Sequence, residues 1–199
     1  MQAPFFRMGE KSVGRRCACV RGENIMKKNI ILIGMPGVGK STIGVILAKE
    51  LGYRFIDSDL VIQEQEKRLL REIIEDEGVD GFLEIENRVN AGLKAERSVI
   101  ATGGSAVYGR EAMEHFKQIG TVIYLHLPFE QLQKRLGNLK GRGVVLRAGQ
   151  TLKDLFEERS PLYQRYADQV IDEEGKDIEG TLSEILNFCL QKDVDGLIL

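Results

Sequence analysis

The sequence predicts an α/β fold: a three-layer α/β/α domain built on a five-stranded parallel sheet. Three observations carry that expectation. Short apolar runs alternate with helical stretches from residue 29 onward, and strands separated by helical crossovers lie parallel in one sheet. The first run, Asn29–Ile33 (NIILI), is apolar almost throughout, as expected of a strand covered on both faces. A glycine-rich turn and a helix follow it at once, which places any ligand-binding turn at the sheet edge.

The remaining elements follow in order. Ser41–Leu51 is a helix with Ile43, Ile46, Leu47 and Leu51 on one side, and Tyr53–Ile56 is a second strand. Leu60–Arg97 carries Glu, Arg, Leu and Ile at helical spacing, with a break near Gly78–Gly81. Val99–Ala101 is a short third strand ending in Thr-Gly-Gly, and Glu111–Phe116 is a helix. Thr121–Leu127 (TVIYLHL) is the fourth strand, and Pro128 stops it. Gly137–Gly149, rich in Gly and Arg, reads as a mobile loop. Thr151 opens the next helix, with Asp154 three residues on as a capping box. Gln169–Ile171 is a fifth strand and Thr181–Leu190 a last amphipathic helix.

Composition narrows the function. Of 199 residues, 43% are hydrophobic and 29% charged, which excludes collagen-like, disulfide-rich and wholly disordered chains. A net charge of −2 supplies no bulk positive field for nucleic acid or an anionic membrane. No apolar run approaches the roughly 18 residues of a membrane helix. Neither nucleic acid nor membrane is therefore an expected partner. The cysteines are three, Cys17, Cys19 and Cys189. The first two read as incidental thiols rather than a zinc site, because His115 and His126 are distant and no second pair exists. A reducing cytoplasm fits all three. His115 reads as solvent-facing, His126 as packing or a satisfied polar group, and Asp172–Glu174 as a solvated turn, in a loop that can also border adenine. Residues 1–25 hold five basic and two acidic residues. They read as a flexible extension, with Met26 a natural start, rather than as an organellar transit peptide.

The strongest motif is Gly34-Met35-Pro36-Gly37-Val38-Gly39-Lys40-Ser41, followed by Thr42. It matches G-x-x-x-x-G-K-[ST] and sits between a buried strand and a helix, where its chemistry requires. Backbone N–H groups converge on one concavity, and the helix dipole adds positive charge there. Lys40 reaches the β- and γ-phosphates, and the Ser41 hydroxyl ligates Mg²⁺. A nucleoside triphosphate is the expected ligand. The loop alone does not separate a kinase from a GTPase, an ATPase motor or a regulator.

Asp57-Ser58-Asp59 ends the second strand. Such a pair is a solvated turn or helix cap by default. Beside a phosphate loop it suits a kinase, one carboxylate holding hydrated Mg²⁺ and the other orienting an acceptor hydroxyl. Thr102-Gly103-Gly104 ends the third strand, where paired glycines let a small ligand approach the backbone.

The loop, Phe55-Ile56-Asp57-Ser58-Asp59, Ala101-Thr102-Gly103-Gly104 and Arg159-Ser160-Pro161-Leu162-Tyr163 occur in that order, with Ala167-Asp168 after the last. Together they resemble the shikimate kinase family over about residues 28–190. The resemblance implies a P-loop kinase domain over 27–192, between a flexible extension (1–26) and a C-terminal tail (193–199). A helical substrate-binding insert at about 60–97 and a mobile lid at about 137–150 belong to it. The implied reaction passes the γ-phosphate of ATP, with Mg²⁺, to a ring hydroxyl of shikimate. Lys40 and Ser41 match the phosphate lysine and the metal-ligating hydroxyl, and Asp57 the aspartate holding Mg²⁺ through water. Asp59 matches the acceptor-binding base, and Gly103 and Gly104 match backbone donors to the substrate. Arg135 matches an arginine packed on adenine, Arg142 the lid arginine over the phosphates, and Arg159 the arginine binding the substrate carboxylate. A cytoplasmic monomer with a small-molecule substrate is expected.

The chain departs from that family at three places. Leu83 stands where a second carboxylate-binding arginine is usual, within Gly78-Val79-Asp80-Gly81-Phe82-Leu83-Glu84-Ile85-Glu86. The exchange removes a charge-assisted hydrogen bond worth very roughly 1.5–3 kcal/mol. Arg88, about 140° around the helix, should point elsewhere; Arg71 is the other cation near in sequence. The lid reads Arg142-Gly143-Val144-Val145 in place of Arg-Pro-Leu-Leu, and Ser105 replaces a third glycine. These changes concern the acceptor more than ATP. They leave open a related kinase for a different small hydroxylated metabolite, or a nucleotide-binding regulatory module with little transferase activity.

Overall fold

The computed structural model describes residues 29–136 and 149–195. The predicted extension with Cys17 and Cys19, and Arg142 with most of the predicted lid, lie outside the described residues. In chain order the elements are β1 (Asn29–Ile33), α1 (Lys40–Leu51), β2 (Arg54–Asp57), α2 (Ser58–Glu66), α3 (Leu70–Ala91) and β3 (Ser98–Ala101). A 3-10 turn (Ala106–Tyr108) comes next, then α4 (Arg110–Ile119), β4 (Gly120–His126), α5 (Phe129–Leu136), α6 (Leu152–Tyr166), β5 (Gln169–Asp172) and α7 (Ile178–Asp195).

The sheet is five-stranded and parallel in the order β2-β3-β1-β4-β5. Ile31 of β1 pairs with Ile100 on one side and Val122 on the other. Ile30 to Ile33 are wholly buried, because β1 is central and covered on both faces. From β1 the chain steps over β3 to reach β2, then later crosses to β4 on the opposite side. That reversal opens a crevice at the C-terminal ends of β1 and its neighbours, the place where such sheets bind ligands.

The main core joins β1, β3 and β4 to Ile43 and Leu47 of α1, Phe116 of α4, Tyr163 of α6 and Ile185 of α7. A second, smaller core holds Ile62, Ile73, Phe82 and Val89. It packs α2 on α3, the two helices that stand beside the crevice.

Helix limits differ from expectation at specific caps. The helical stretch expected from Leu60 begins at Ser58, because the Asp57 carboxylate accepts the Asp59 N–H at 3.0 Å. It breaks first at Lys67, whose φ is 52°, and it ends at Ala91, six residues before Arg97. The break near Gly78–Gly81 is a kink at Gly78, φ 73° and ψ −179°, a conformation glycine alone adopts at little cost. The last helix runs on to Asp195, into the predicted tail. The Thr151–Asp154 capping box forms as expected, with reciprocal bonds of 3.2 and 2.9 Å. His115 is not solvent-facing: half-buried on α4, its Nε2 lies 2.7 Å from the Leu93 carbonyl oxygen. Cys189 is buried in the core. Among the described residues no helix is long and apolar enough to cross a membrane.

Candidate active site

The phosphate-loop sequence forms the turn from β1 into α1. Gly34 has φ 146°, and a side chain there would come within 2.6 Å of the Leu125 carbonyl oxygen, so only glycine lets the loop lie this close to β4. Lys40 folds back over the loop. Its ammonium donates to the carbonyls of Gly34 at 2.7 Å and Met35 at 3.0 Å. Burial pulls its pKa down to about 8, with Asp59 opposing and Arg159 reinforcing the shift. An ammonium held this weakly protonated gains from any anion placed beside it.

Beside it, Ser41 Oγ donates to Asp57 Oδ2 at 3.0 Å. Asp57 Oδ1 is occupied by the Asp59 N–H, so Asp57 caps α2 and faces Ser41 at once. The helix-cap and functional readings of this aspartate are therefore compatible. Asp59 points into a separate cleft. Burial first, and the Asp57 charge second, push its carboxyl up to about 6, against the pull of Lys40.

That cleft is lined by Pro36, Asp59, Phe82, Gly103, Gly104 and Arg159, among others. Gly103 donates its N–H to the buried Ser58 hydroxyl at 3.1 Å. The donor role implied for both glycines therefore rests on Gly104, while Gly103 supplies room. A side chain on Gly103 would run into the Glu86 carboxylate and come within 2.8 Å of Asp59 Oδ1. Tyr163 fixes the next residue by donating to the Gly104 carbonyl at 2.6 Å. Arg159, 2% exposed, donates from Nε to the Tyr108 hydroxyl at 3.2 Å. Its guanidinium carbon lies 5.1 Å from the centre of the Tyr108 ring.

On the other side of the loop lies a cavity of about 560 Å³, lined by Val38, Thr42, Arg135, Glu173, Lys176 and Ile178 among others. Arg135 donates to the Val38 carbonyl at 2.8 Å and pairs with Glu173 at 2.9 Å. Glu173 is 4% exposed, so the middle of the Asp172–Glu174 run is not a solvated turn. Burial raises its pKa and the Arg135 hydrogen bond opposes the rise.

Lys40, Ser41 and Asp57 thus meet at one corner, Val38, Thr42 and Arg135 at the cavity, and Asp59, Gly103, Gly104 and Arg159 at the cleft. Arg142 lies outside the described residues. Leu83 lines a recess that adjoins the cleft at Arg159, with Val79, Tyr108 and Leu155. Arg88 turns away to Glu66 at 2.7 Å, and Arg71 is exposed and lines neither hollow. Sequence reasoning missed three residues. Glu86 is 1% exposed with both oxygens unpartnered among the described residues. Burial, countered by the nearby Ser105 hydroxyl, pushes its carboxyl up to about 7. Its signal was a charge on the apolar face of α3, in register with Phe82 and Val89. Tyr108 and Glu173 carried no such signal, because only the folded chain brings them to Arg159 and Arg135.

The comparisons with known proteins point to one family. The sequence profile of the shikimate kinase family matches residues 36–190. A shikimate kinase of Persephonella marina is 36% identical over 160 residues, which cover 80% of this chain and 97% of the relative. Shikimate kinase 2 of Yersinia pseudotuberculosis is 37% identical over 156 residues, covering 74% and 87% of the two chains. Among solved structures, shikimate kinase from Acinetobacter baumannii in complex with shikimate superposes with a TM-score of 0.75 at 33% identity, covering 84% and 96%. With the profile matching residues 36–190 and a relative 36% identical over 97% of its own length, the chain belongs to the shikimate kinase family.

Proposed function

We propose that this chain transfers the γ-phosphoryl group of ATP to a ring hydroxyl of shikimate. One observation carries the reading: Pro36 of the phosphate loop itself forms a wall of the cleft that holds Asp59 and Arg159. Donor and acceptor sites share that wall, so a phosphate on the loop and a hydroxyl in the cleft are neighbours.

Each residue then has a role that follows from its place. Loop amides and Lys40 hold the phosphates, and an arriving polyphosphate draws Lys40 from its carbonyls and restores its proton affinity. Ser41 and Asp57 present a hydroxyl and a carboxylate side by side, the oxygen donors that suit Mg²⁺. Ser41 and Asp57 would hold the ion there, and it would supply positive charge against the phosphates. Val38, Thr42 and Arg135 line the pocket for the adenine ring. Asp59 orients the acceptor hydroxyl and takes its proton; a carboxyl raised to about 6 is ionised at neutral pH yet more basic than usual. Arg159 binds the acceptor's carboxylate, Gly104 donates to the acceptor, and Gly103 gives it room. Arg142, outside the described residues, takes the role over the phosphates that the family resemblance implies. The protein works as a cytoplasmic monomer.

ADP release by the purified protein with Mg·ATP, with and without shikimate up to millimolar concentration, tests this. Saturable stimulation by shikimate is expected. ATP binding with no stimulation overturns the reading.

A further inference from the structure

We propose that Tyr108 is a positioning residue for the acceptor: it aims Arg159 at the acceptor's carboxylate. The inference rests on the role given to Arg159 above. Arginine has many rotamers, and side-chain entropy stands against holding one of them. Tyr108 restrains this arginine in two ways. Its ring lies against the guanidinium, 5.1 Å from centre to Cζ, and its hydroxyl accepts the Nε–H at 3.2 Å. The ring contact limits where the guanidinium can swing, and the Nε bond sets the direction in which the fork points.

The hydroxyl is itself oriented. Tyr108 donates its proton to Glu158 Oε1 at 2.9 Å, which turns an oxygen lone pair toward Arg159. The other Glu158 oxygen accepts from Gln150 Nε2 at 2.7 Å. Tyr108 ends the 3-10 turn that starts two residues after Gly104, and Ala106 and Val107 anchor that turn in the core. The backbone that floors the cleft therefore also places the tyrosine. Leu83, across the recess, is aliphatic and supplies no charge to guide the acceptor. Among the described residues Arg159 is the one cation lining the cleft. Recognition of a carboxylate then depends on the aim of a single fork.

Tyr108→Phe keeps the ring and deletes the hydroxyl. The KM for shikimate should rise about tenfold, the scale of one charge-assisted hydrogen bond, with kcat and the KM for ATP within about twofold. Arg159→Lys removes the Nε–H and should raise the same KM by more. Adding Tyr108→Phe to Arg159→Lys should then change nothing further, because the bond it deletes is already gone. Glu158→Gln should give a smaller rise that Tyr108→Phe masks. An unchanged KM in Tyr108→Phe, or an equal effect with and without Arg159, overturns the proposal, as does a parallel loss of kcat and ATP affinity. If Arg159→Lys itself leaves the KM unchanged, the carboxylate reading fails first. If it raises the KM while Tyr108→Phe does not, Tyr108 alone is excluded.

Discussion

The phosphate corner and the acceptor cleft touch at Pro36 but are built in opposite ways. The corner is built on one run of chain from β1 into α1, joined only by Asp57 from the end of β2, and set on the main core. The cleft is gathered from the loop, α2, α3, the turn after β3 and α6. Its α2–α3 wall rests on a separate core of four buried side chains. The corner relies on a backbone path that a side chain at Gly34 would block, so it tolerates little change. A cleft of side chains can change one at a time, and the departures at Leu83 and Ser105 fall there.

Chemistry should fail hardest where the two regions meet. Asp59→Asn keeps the shape of the side chain and removes the base, so kcat should fall about 10²–10⁴-fold while ATP binding persists. The sign of the pH dependence follows from the raised carboxyl. In the wild type, kcat/KM should climb as pH rises through about 6 and Asp59 loses its proton, and Asp59→Asn should lack that limb. Lys40→Met should lower kcat about 10²–10³-fold, the scale of one preorganised donor at the reacting charge. It should also weaken ATP binding and leave binding of shikimate nearly intact. Calorimetry of each ligand on each variant checks the contrast; equal losses for both ligands would dissolve the distinction between corner and cleft.

The same contrast explains what the sequence made legible. The phosphate loop is contiguous, so its spacing alone located Gly34 to Thr42, and five parallel strands followed from apolar runs such as NIILI. Asp59, Gly103, Gly104 and Arg159 became a set only through resemblance, because three separate segments supply them. Arg159 gave no hint of its tyrosine: Tyr108 lies 51 positions away and belongs to a short turn with no periodicity. Glu173 looked like one acid among three, and only its pairing with Arg135 after folding distinguishes it. The Lys67 break escaped notice because a lysine with positive φ has no sequence marker, unlike the glycine that kinks α3.

Leu83→Arg sharpens the comparison from the cleft side. The new cation would enter the recess beside Arg159 and Tyr108, one helical turn from the unpartnered Glu86. The KM for shikimate should fall about tenfold, as one added charge-assisted hydrogen bond implies, with the KM for ATP unmoved. Initial-rate kinetics in both substrates decide it. An unchanged shikimate KM would mean that the recess lies beyond reach of the bound acceptor.

Glu86→Gln has the smallest expected effect, and its sign is fixed by linkage. Burial raises the Glu86 carboxyl from 4.5 to about 7, so the folded protein binds this proton more tightly than the unfolded chain. The stability that comes with it is complete below about pH 4.5 and is lost as pH rises through about 7. Glutamine has no proton to lose. Relative to Glu86→Gln, the wild type should therefore lose stability between pH 5 and pH 8, by on the order of 1–3 kcal/mol, the cost of an unmet buried polar group. Lys40 and Asp59 titrate in both proteins, so the difference between two denaturation series reports Glu86 together with its coupling to those two charges. A difference that stays flat with pH would show that the carboxylate finds a partner in solution. The cleft would then be as fully satisfied inside as the phosphate corner, and the contrast between them would reduce to how each is assembled from the chain.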